Sequence, residues 1–234
     1  MKRTVIIDDL PQLQIALAKE FEAQAAEVIA RREKFIIALP GGSVASAFFP
    51  TLATLAVDWT RVEVFWIDER AVPPDHPESN FALASRLLLG PARVPARRIH
   101  RMYGELPDLN QAARRATDEL KSIAGDPPHL DLAIVGVGDD GHVASLFAGS
   151  TGLQPSPQPV LAVCDSPKPP ARRLTLTLSV LADASHVIVA ALGASKADAM
   201  RGALHQSDVA TPVAELLRRA PSSLVLLDRD AGLQ

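Results

Sequence analysis

The stretch HLDLAIVGVGDDGHVASLFAG, residues 129–149, joins a buried strand to a glycine-rich turn that ends in acidic residues and a histidine. Residues 130–137 are an almost unbroken apolar run with one early acid, which is typical of a parallel strand covered on both faces. The glycines that follow permit a positive φ or a close backbone approach, so Asp140 and His142 are presented on a rigid turn. Because ligands of open α/β sheets bind outside the carboxyl ends of the strands, this turn predicts a functional site.

The same turn also satisfies the G-x-G-x-x-G pattern of dinucleotide-binding folds, at Gly136, Gly138 and Gly141. A pyrophosphate-binding turn must offer bare amides to an anion and then begin a helix. Here Asp139 and Asp140 place two carboxylates inside the turn, and the following segment is rich in Gly, Pro and Ser. The pattern therefore favours a catalytic turn over a dinucleotide site.

Composition limits the class of protein and of ligand. With 234 residues, 47% of them hydrophobic and 22% charged, the chain is large enough to bury a full core as one domain over 1–234. Its formal net charge of −3 gives no long-range attraction to nucleic acid or to an anionic membrane. An anionic ligand would therefore be a small molecule held by a local cluster of cations and amides.

The single cysteine, Cys164, excludes an internal disulfide and fits a reducing compartment. We expect it to be a buried small hydrophobic residue without chemistry of its own. No apolar run approaches the ~20 residues that a membrane span needs. We expect a soluble, cytoplasmic protein that is a monomer or a weak homodimer.

Short apolar runs alternate with amphipathic stretches along the chain. The predicted strands are 5–7, 35–39, 62–67, 130–137, 173–178, 186–192 and 223–227. The predicted helices are 11–33, one from Val44 onward, 80–89, 109–123 with Asp108 as its cap, 195–204 and 213–219. This alternation predicts an α/β fold of three layers, a doubly wound and mostly parallel sheet with helices on both faces. The Pro- and Gly-rich stretches 73–77 and 152–170 are expected to be loops over the site.

A second glycine turn, Gly41-Gly42-Ser43, joins the predicted strand 35–39 to the next helix. The free N–H groups and positive dipole end of a helix attract anions, so this turn is a candidate phosphate site. An ordinary strand-to-helix connection with Ser43 as the N-cap explains the turn equally well.

Lys196 stands in the first turn of the predicted helix 195–204, where a cation is unfavourable unless an anionic ligand lies nearby. A solvated surface lysine is the alternative. Asp68, Glu69 and Arg70 directly follow a strand, where Arg70 suits bidentate contact with phosphate, unless the acids simply pair with it on the surface. Asn80 is a weaker candidate that equally suits a helix cap. No spacing of Cys, His or carboxylates indicates a metal site.

Five motifs occur together and in order: GGS at 41–43, DER at 68–70 with SN at 79–80, GVGDDGHVASLF at 136–147, KPPARRLTLTL at 168–178 and GASK at 193–196. On these motifs the chain resembles the 6-phosphogluconolactonase family along nearly its whole length. The resemblance implies a Rossmann-like fold of the isomerase/lactonase type. It also implies hydrolysis of 6-phospho-D-glucono-1,5-lactone to 6-phospho-D-gluconate, the second step of the oxidative pentose phosphate pathway, without a metal or cofactor.

A δ-lactone is an activated ester, so its hydrolysis needs a base, stabilisation of an oxyanion and an anchor for the phosphate. His142 is the expected general base that activates water, and Asp140 orients its ring or polarises the water. The resemblance implies that Arg70, Arg173 and Lys196 hold the phosphate with the glycine turn. The full set of expected substrate-binding residues is Gly41, Gly42, Ser43, Asp68, Arg70, Asn80, Gly138, Gly141, Arg173 and Lys196.

Two other functions are weighed against this one. An aldose–ketose isomerase similar to glucosamine-6-phosphate deaminase shares the GGS and DGH turns, but it continues into an Asn-Glu pair where this chain has Ser145-Leu146-Phe147. A non-catalytic sugar-phosphate sensor would be joined to a DNA-binding or partner-binding element, and the sequence shows neither a helix-turn-helix pattern nor a basic stripe.

Overall fold

A computed structural model describes residues 2–206 and 210–232 of the chain. The strands are β1 (Lys2–Asp8), β2 (Phe35–Leu39), β3 (Val62–Trp66), β4 (Asp68–Arg70), β5 (Leu132–Gly136), β6 (Val160–Val163), β7 (Arg173–Leu176), β8 (His186–Ala191) and β9 (Ser222–Asp228). The α-helices are α1 (Leu10–Arg32), α2 (Gly42–Leu52), α3 (Asn80–Ala84), α4 (Leu109–Ala124), α5 (Leu178–Ala182), α6 (Ala197–His205), α7 (Pro212–Arg219) and α8 (Arg229–Gly232).

The main sheet has six strands in the order β1-β9-β8-β5-β2-β3, and each neighbouring pair is parallel. From β2 the chain proceeds to β3 on one side, whereas from β5 it proceeds to β8 and β9 on the other side. The order of the strands therefore reverses between β2 and β5, which opens a crevice at their carboxyl ends. This arrangement confirms the predicted mostly parallel α/β sheet.

Helices cover both faces of this sheet because the side chains of each strand alternate between two cores. Phe35, Ile37 and Leu39 of β2 pack into a core with α1 and α2, whereas Ile36 and Ala38 pack into a second core with α4 and α7. The spacing of apolar residues in α1 follows the helical period, and its buried positions are Leu13, Leu17, Phe21, Ala25 and Val28. The three predicted layers are thus confirmed.

Two helix starts follow from local sequence. Asp9 precedes α1 and accepts a hydrogen bond from the backbone N–H of Gln12 at 3.1 Å. Asp108 precedes α4, as predicted, and accepts from the N–H of Asn110 at 2.9 Å. Each carboxylate satisfies a backbone donor that has no partner inside its helix.

A second sheet, which the sequence did not predict, packs beside the first one. It is antiparallel, with the order β4-β7-β6. The predicted strand 62–67 ends at Trp66, and Ile67 then bridges the two sheets by donating to Leu39 O at 2.9 Å and accepting from Leu176 N at 2.8 Å. The strand predicted at 173–178 stops at Leu176. Local alternation predicts a strand but not its partners, because pairing is decided by distant segments.

Two further expectations were wrong. The predicted loop 152–170 contains β6, whose short apolar run pairs with β7. Cys164 follows that strand and is exposed rather than buried, because it lies past the end of the pairing with β7. Among the described residues, no helix combines the length and the apolar character needed to cross a membrane.

Candidate active site

The turn after β5 is built so that an imidazole can lie directly against its backbone. Gly138 N–H donates to His142 O at 2.9 Å, and Gly141 N–H donates to Gly138 O at 3.1 Å, which closes the turn. A Cβ on Gly138 would lie 1.9 Å from His142 Nδ1, so only glycine fits there. Gly141 has a φ of +79°, and its carbonyl accepts from Val213 N at 3.0 Å. The turn is therefore held both internally and by α7.

His142 and Asp140 form a hydrogen-bonded pair within this turn. His142 Nδ1 lies 2.5 Å from Asp140 Oδ1, which also accepts from the backbone N–H of His142 at 3.1 Å. A carboxylate at Nδ1 favours the tautomer with its proton on Nδ1, so Nε2 is left as a proton acceptor. The ring also packs on Phe147, with centroids 4.4 Å apart.

The electrostatics of this pair favour a neutral imidazole. Burial lowers the pKa of His142, and this effect outweighs the opposing attraction of Asp140. Burial raises the pKa of Asp140, but its hydrogen bonds from His142 outweigh that cost, so the pKa of Asp140 is lowered. Near neutral pH an ionised Asp140 is therefore hydrogen-bonded to an uncharged His142.

The second glycine turn, Gly41-Gly42-Ser43, begins α2. The helix begins at Gly42, with Gly41 as its N-cap, so the alternative in which Ser43 is the N-cap is wrong. No side chain caps this end of the helix, which leaves its first amides open to an anion. Gly42 has a φ of +63°, and a Cβ on Gly41 would lie 1.8 Å from Asn80 Oδ1. Both glycines are therefore required by the geometry.

Asp68 and Asn80 form a buried polar wall between the two turns. Asp68 accepts from Ser145 Oγ at 2.6 Å and from Asn80 Nδ2 at 3.2 Å. Asn80 Nδ2 also donates to the Asp68 carbonyl at 2.9 Å, which fixes the orientation of the amide. Ser79, rather than Asn80, caps α3, since its Oγ accepts from Ala82 N at 3.1 Å. The alternative in which Asn80 is the N-cap of this helix is therefore wrong.

Glu69 is not among the residues that line the cleft, and its carboxylate holds the backbone of the neighbouring segment in place. Its carboxylate accepts from the backbone N–H groups of Arg70, Asn80 and Phe81 at 2.7, 2.8 and 2.8 Å. Burial nevertheless raises the pKa of Glu69. The alternative in which both acids pair with Arg70 on the surface is wrong, because Asp68 and Glu69 are buried and bonded to other groups.

In the part of the chain that the structure describes, four cations line the cleft: Arg70, Lys168, Arg173 and Lys196. Arg70 Nη1 donates to Glu78 O at 2.7 Å. Lys196 ends a 3-10 turn, Ala194–Lys196, and occupies the N-cap position of α6; in the described ranges it forms no ion pair. Lys168, which the sequence did not indicate as a site residue, pairs through Nζ with Asp139. The only sequence signal for Lys168 was its place at the start of the KPPARR motif.

These elements enclose a cleft of about 260 Å³. His142 and most of the expected substrate-binding residues line it: Gly41, Gly42, Ser43, Asp68, Arg70, Asn80, Gly138, Arg173 and Lys196. Asp140 and Gly141 are not in its lining. Asp140 is hydrogen-bonded to Nδ1 of the imidazole, and Gly141 holds the turn through its backbone hydrogen bonds.

One group of side chains could approach a metal ion, although the sequence predicted none. Ligand atoms of Asp139, Asp140 and His142 lie within 4.8 Å of one another. Each of them already has a protein partner, since Asp139 pairs with Lys168 and Asp140 pairs with His142. These pairs explain the proximity of the three groups without a cation, and we assign no metal to them.

Comparisons with known proteins identify the family of the chain. A sequence model of the family described as glucosamine-6-phosphate isomerases/6-phosphogluconolactonase matches residues 8–226. The 6-phosphogluconolactonase of Mycobacterium tuberculosis (strain ATCC 25618 / H37Rv) is 37% identical over 237 residues, which cover 97% of this chain and 96% of that protein. A crystal structure of 6-phosphogluconolactonase from Leishmania guyanensis is 28% identical, with a TM-score of 0.85 over 100% of this chain and 98% of that one. A monomeric glucosamine-6-phosphate deaminase, 18% identical, shares the fold with a TM-score of 0.79 over 99% of this chain and 98% of its own.

Proposed function

The chain belongs to the glucosamine-6-phosphate isomerase/6-phosphogluconolactonase family, and we propose that it hydrolyses 6-phospho-D-glucono-1,5-lactone to 6-phospho-D-gluconate. This is the second step of the oxidative pentose phosphate pathway. The observation on which the proposal rests is that His142, oriented by Asp140, faces the same cleft as the open amides of α2 and the four cations. A base and an anion site in one cleft suit an ester that carries a phosphate.

The first chemical step is the addition of water to the lactone carbonyl. His142 Nε2 takes a proton from the water while the water oxygen bonds to C1, and the carbonyl oxygen becomes an oxyanion. Asp140 accepts from Nδ1–H throughout and stabilises the imidazolium. The N–H groups of Gly138 and Gly141 are bonded within the turn itself, so the developing charge needs a donor from outside the turn.

The second step opens the ring. The oxyanion collapses, the bond from C1 to the ring oxygen breaks, and that oxygen takes the proton from His142 Nε2. The products are a free hydroxyl and a carboxylic acid, which ionises in water. One water molecule is consumed and His142 returns to its neutral form, so the protein needs no metal and no cofactor for this reaction.

The phosphate is placed against the first turn of α2. Its uncapped amides at Gly42 and Ser43 suit phosphate oxygens, and Arg70 and Lys196 lie in the same cleft lining. Asp68 and Asn80 offer oxygen acceptors, which suit sugar hydroxyls better than phosphate. We further propose a cytoplasmic protein that acts as a monomer or weak homodimer on this small substrate.

The segment after His142 favours hydrolysis over aldose–ketose isomerisation. Leu146 is buried in the core, Phe147 packs on the His142 ring, and Ser145 is bonded to Asp68. None of the three offers an acid for opening a sugar ring.

The proposal is tested with purified protein and three compounds: the 6-phospholactone, unphosphorylated gluconolactone and glucosamine 6-phosphate. The expected result is loss of the 6-phospholactone well above its spontaneous rate, with a clear preference over the unphosphorylated lactone. Turnover of glucosamine 6-phosphate would support the isomerase instead. Binding of the phospholactone without any acceleration would support a sensor.

A further inference from the structure

The guanidinium of Arg173 is largely occupied by the protein itself. Arg173 is buried, and its Nε donates to Pro170 O at 2.9 Å. Its Nη2 donates to Lys168 O at 3.0 Å and to Pro169 O at 3.1 Å, and its Nη1 donates to Ser145 Oγ at 3.3 Å. A guanidinium has five N–H groups, so these four hydrogen bonds leave little of it for a phosphate.

Three of these four bonds end on consecutive carbonyls, those of residues 168–170. Arg173 therefore fixes the backbone of this segment. Ser166 also holds this backbone, since its Oγ donates to Lys168 O at 2.9 Å and accepts from Lys168 N at 3.3 Å. The backbone of Lys168 is thus held on both sides, although the residue lies in a loop.

The side chain of Lys168 is presented to the reacting end of the cleft. Its Nζ pairs with Asp139, the neighbour of Asp140, and its charge contributes to lowering the pKa of His142. The Lys168 and Asp139 side chains are 37% and 54% exposed. An ion pair this exposed to water is weak, so the ammonium is free to turn toward a group that becomes negative beside the imidazole.

We infer that Lys168 is a catalytic residue that stabilises the oxyanion at the lactone carbonyl, and that Arg173 is a positioning residue for Lys168 rather than a phosphate ligand. The inference rests on the proposed lactonase function. As the water bonds to C1 and the carbonyl π electrons move to oxygen, an N–H of the ammonium donates to that oxygen. The ammonium keeps its proton, and the contact is released when the oxyanion collapses.

The first test replaces Lys168 by methionine, which keeps the length of the chain and removes the charge. We expect kcat to fall by about 10²-fold, with little change in KM, and by the same factor for the phosphorylated and unphosphorylated lactones. Lys196→Met should instead reduce kcat/KM for the phosphorylated lactone alone. The matched control is Lys121→Met, since Lys121 pairs with Asp126 at 3.1 Å away from the cleft. An unchanged kcat in Lys168→Met, or a loss confined to the phosphorylated lactone, overturns the inference.

The second test concerns Arg173. Arg173→Lys keeps the positive charge but cannot hold three carbonyls, so kcat should fall while the preference for the phosphorylated lactone is retained. The double variant with Lys168→Met should be no slower than Lys168→Met alone, because Arg173 acts through Lys168. Ser166→Ala is a milder variant that leaves Arg173 in place, and its smaller loss of kcat should also vanish in the Lys168→Met background. Additive losses would refute a role of Arg173 through Lys168, and a loss of phosphate preference in Arg173→Lys would mean direct phosphate contact.

A measurement without substrate separates this inference from the proposed function. Histidine NMR titration should give a higher pKa for His142 in Lys168→Met than in the wild type, since a nearby positive charge has been removed. Asp140 and Asp68 also act on this ring and are unchanged in the variant. An unmoved His142 titration refutes the proximity of Lys168 even in an active enzyme. An inactive wild-type protein refutes the lactonase, and the catalytic role with it, whatever the titration shows.

Discussion

Replacing His142 by alanine removes the proposed base and leaves the phosphate end of the cleft intact. A positioned general base contributes about 10²–10⁴ in rate, which is about 2.7–5.5 kcal/mol of activation free energy. The structure points to the upper part of this range, because Asp140 lies 2.5 Å from Nδ1 and orients the ring. The loss of ring contact with Phe147, at 4.4 Å, destabilises the fold by only about 0.5–1.5 kcal/mol.

The assay couples product formation to oxidation of 6-phosphogluconate, with the spontaneous opening of the lactone subtracted. In His142→Ala, kcat should fall by about 10³–10⁴-fold while KM stays close to its wild-type value, since the α2 amides and Lys196 are untouched. His129→Ala is the matched control. His129 bonds to Ser185 Oγ at 2.8 Å outside the cleft, so its loss should leave both constants unchanged.

The pH profile gives an independent check on the same base. Protonation of His142 removes the acceptor, so kcat/KM falls as the pH falls through its pKa. Because burial lowers that pKa, the acid limb should lie below the ordinary value of about 6.5. Retained turnover in His142→Ala, or an acid limb above the ordinary histidine range, would refute His142 as the base.

Three other predictions follow from single contacts. Gly138→Ala should reduce kcat more than tenfold without unfolding the chain, since its Cβ would lie 1.9 Å from His142 Nδ1; kinetics and a thermal melt measure both effects. His100 bridges Glu63 and Glu119 at 2.8 Å each, and although burial lowers its pKa, these bonds outweigh burial and raise it. The stabilisation from His100 should therefore be complete below pH ~6.5 and be lost as pH rises through the raised pKa; urea titrations of wild type and His100→Gln should converge at high pH. Phe21→Ala should lower the free energy of unfolding by about 3–5 kcal/mol in urea titration, because Phe21 is fully buried.

Local sequence was informative wherever the structure depends on neighbouring residues. The helical spacing of Leu13, Leu17 and Phe21 predicted α1, and Asp108 predicted the start of α4. The glycine turn that presents His142 was visible for the same reason, since the whole turn is built from consecutive residues. The cleft that unites this turn with Gly42 followed from the rule that parallel strands end at one edge of a sheet.

Contacts between distant segments were not visible in the same way. The sequence showed a lysine at 168 and an arginine at 173, but not that the arginine holds the carbonyls of 168–170 and so brings Lys168 to Asp139. Nor did it show that the strand-like run after Arg173 would leave the main sheet and pair with β4 and β6. A buried guanidinium donates to any acceptor within reach, and only the folded chain decides which acceptors those are.

The sequence by itself determined the α/β layering, the two glycine turns and the histidine–aspartate pair, because periodicity and turn chemistry act over a few residues. The tertiary structure alone decided the small antiparallel sheet, the buried contacts of Asp68 with Ser145 and Asn80, and the hydrogen-bond partners of Arg173 and Lys168. Those features depend on hydrogen bonds between segments far apart in the chain, and the partners of such bonds are chosen by packing rather than by local sequence.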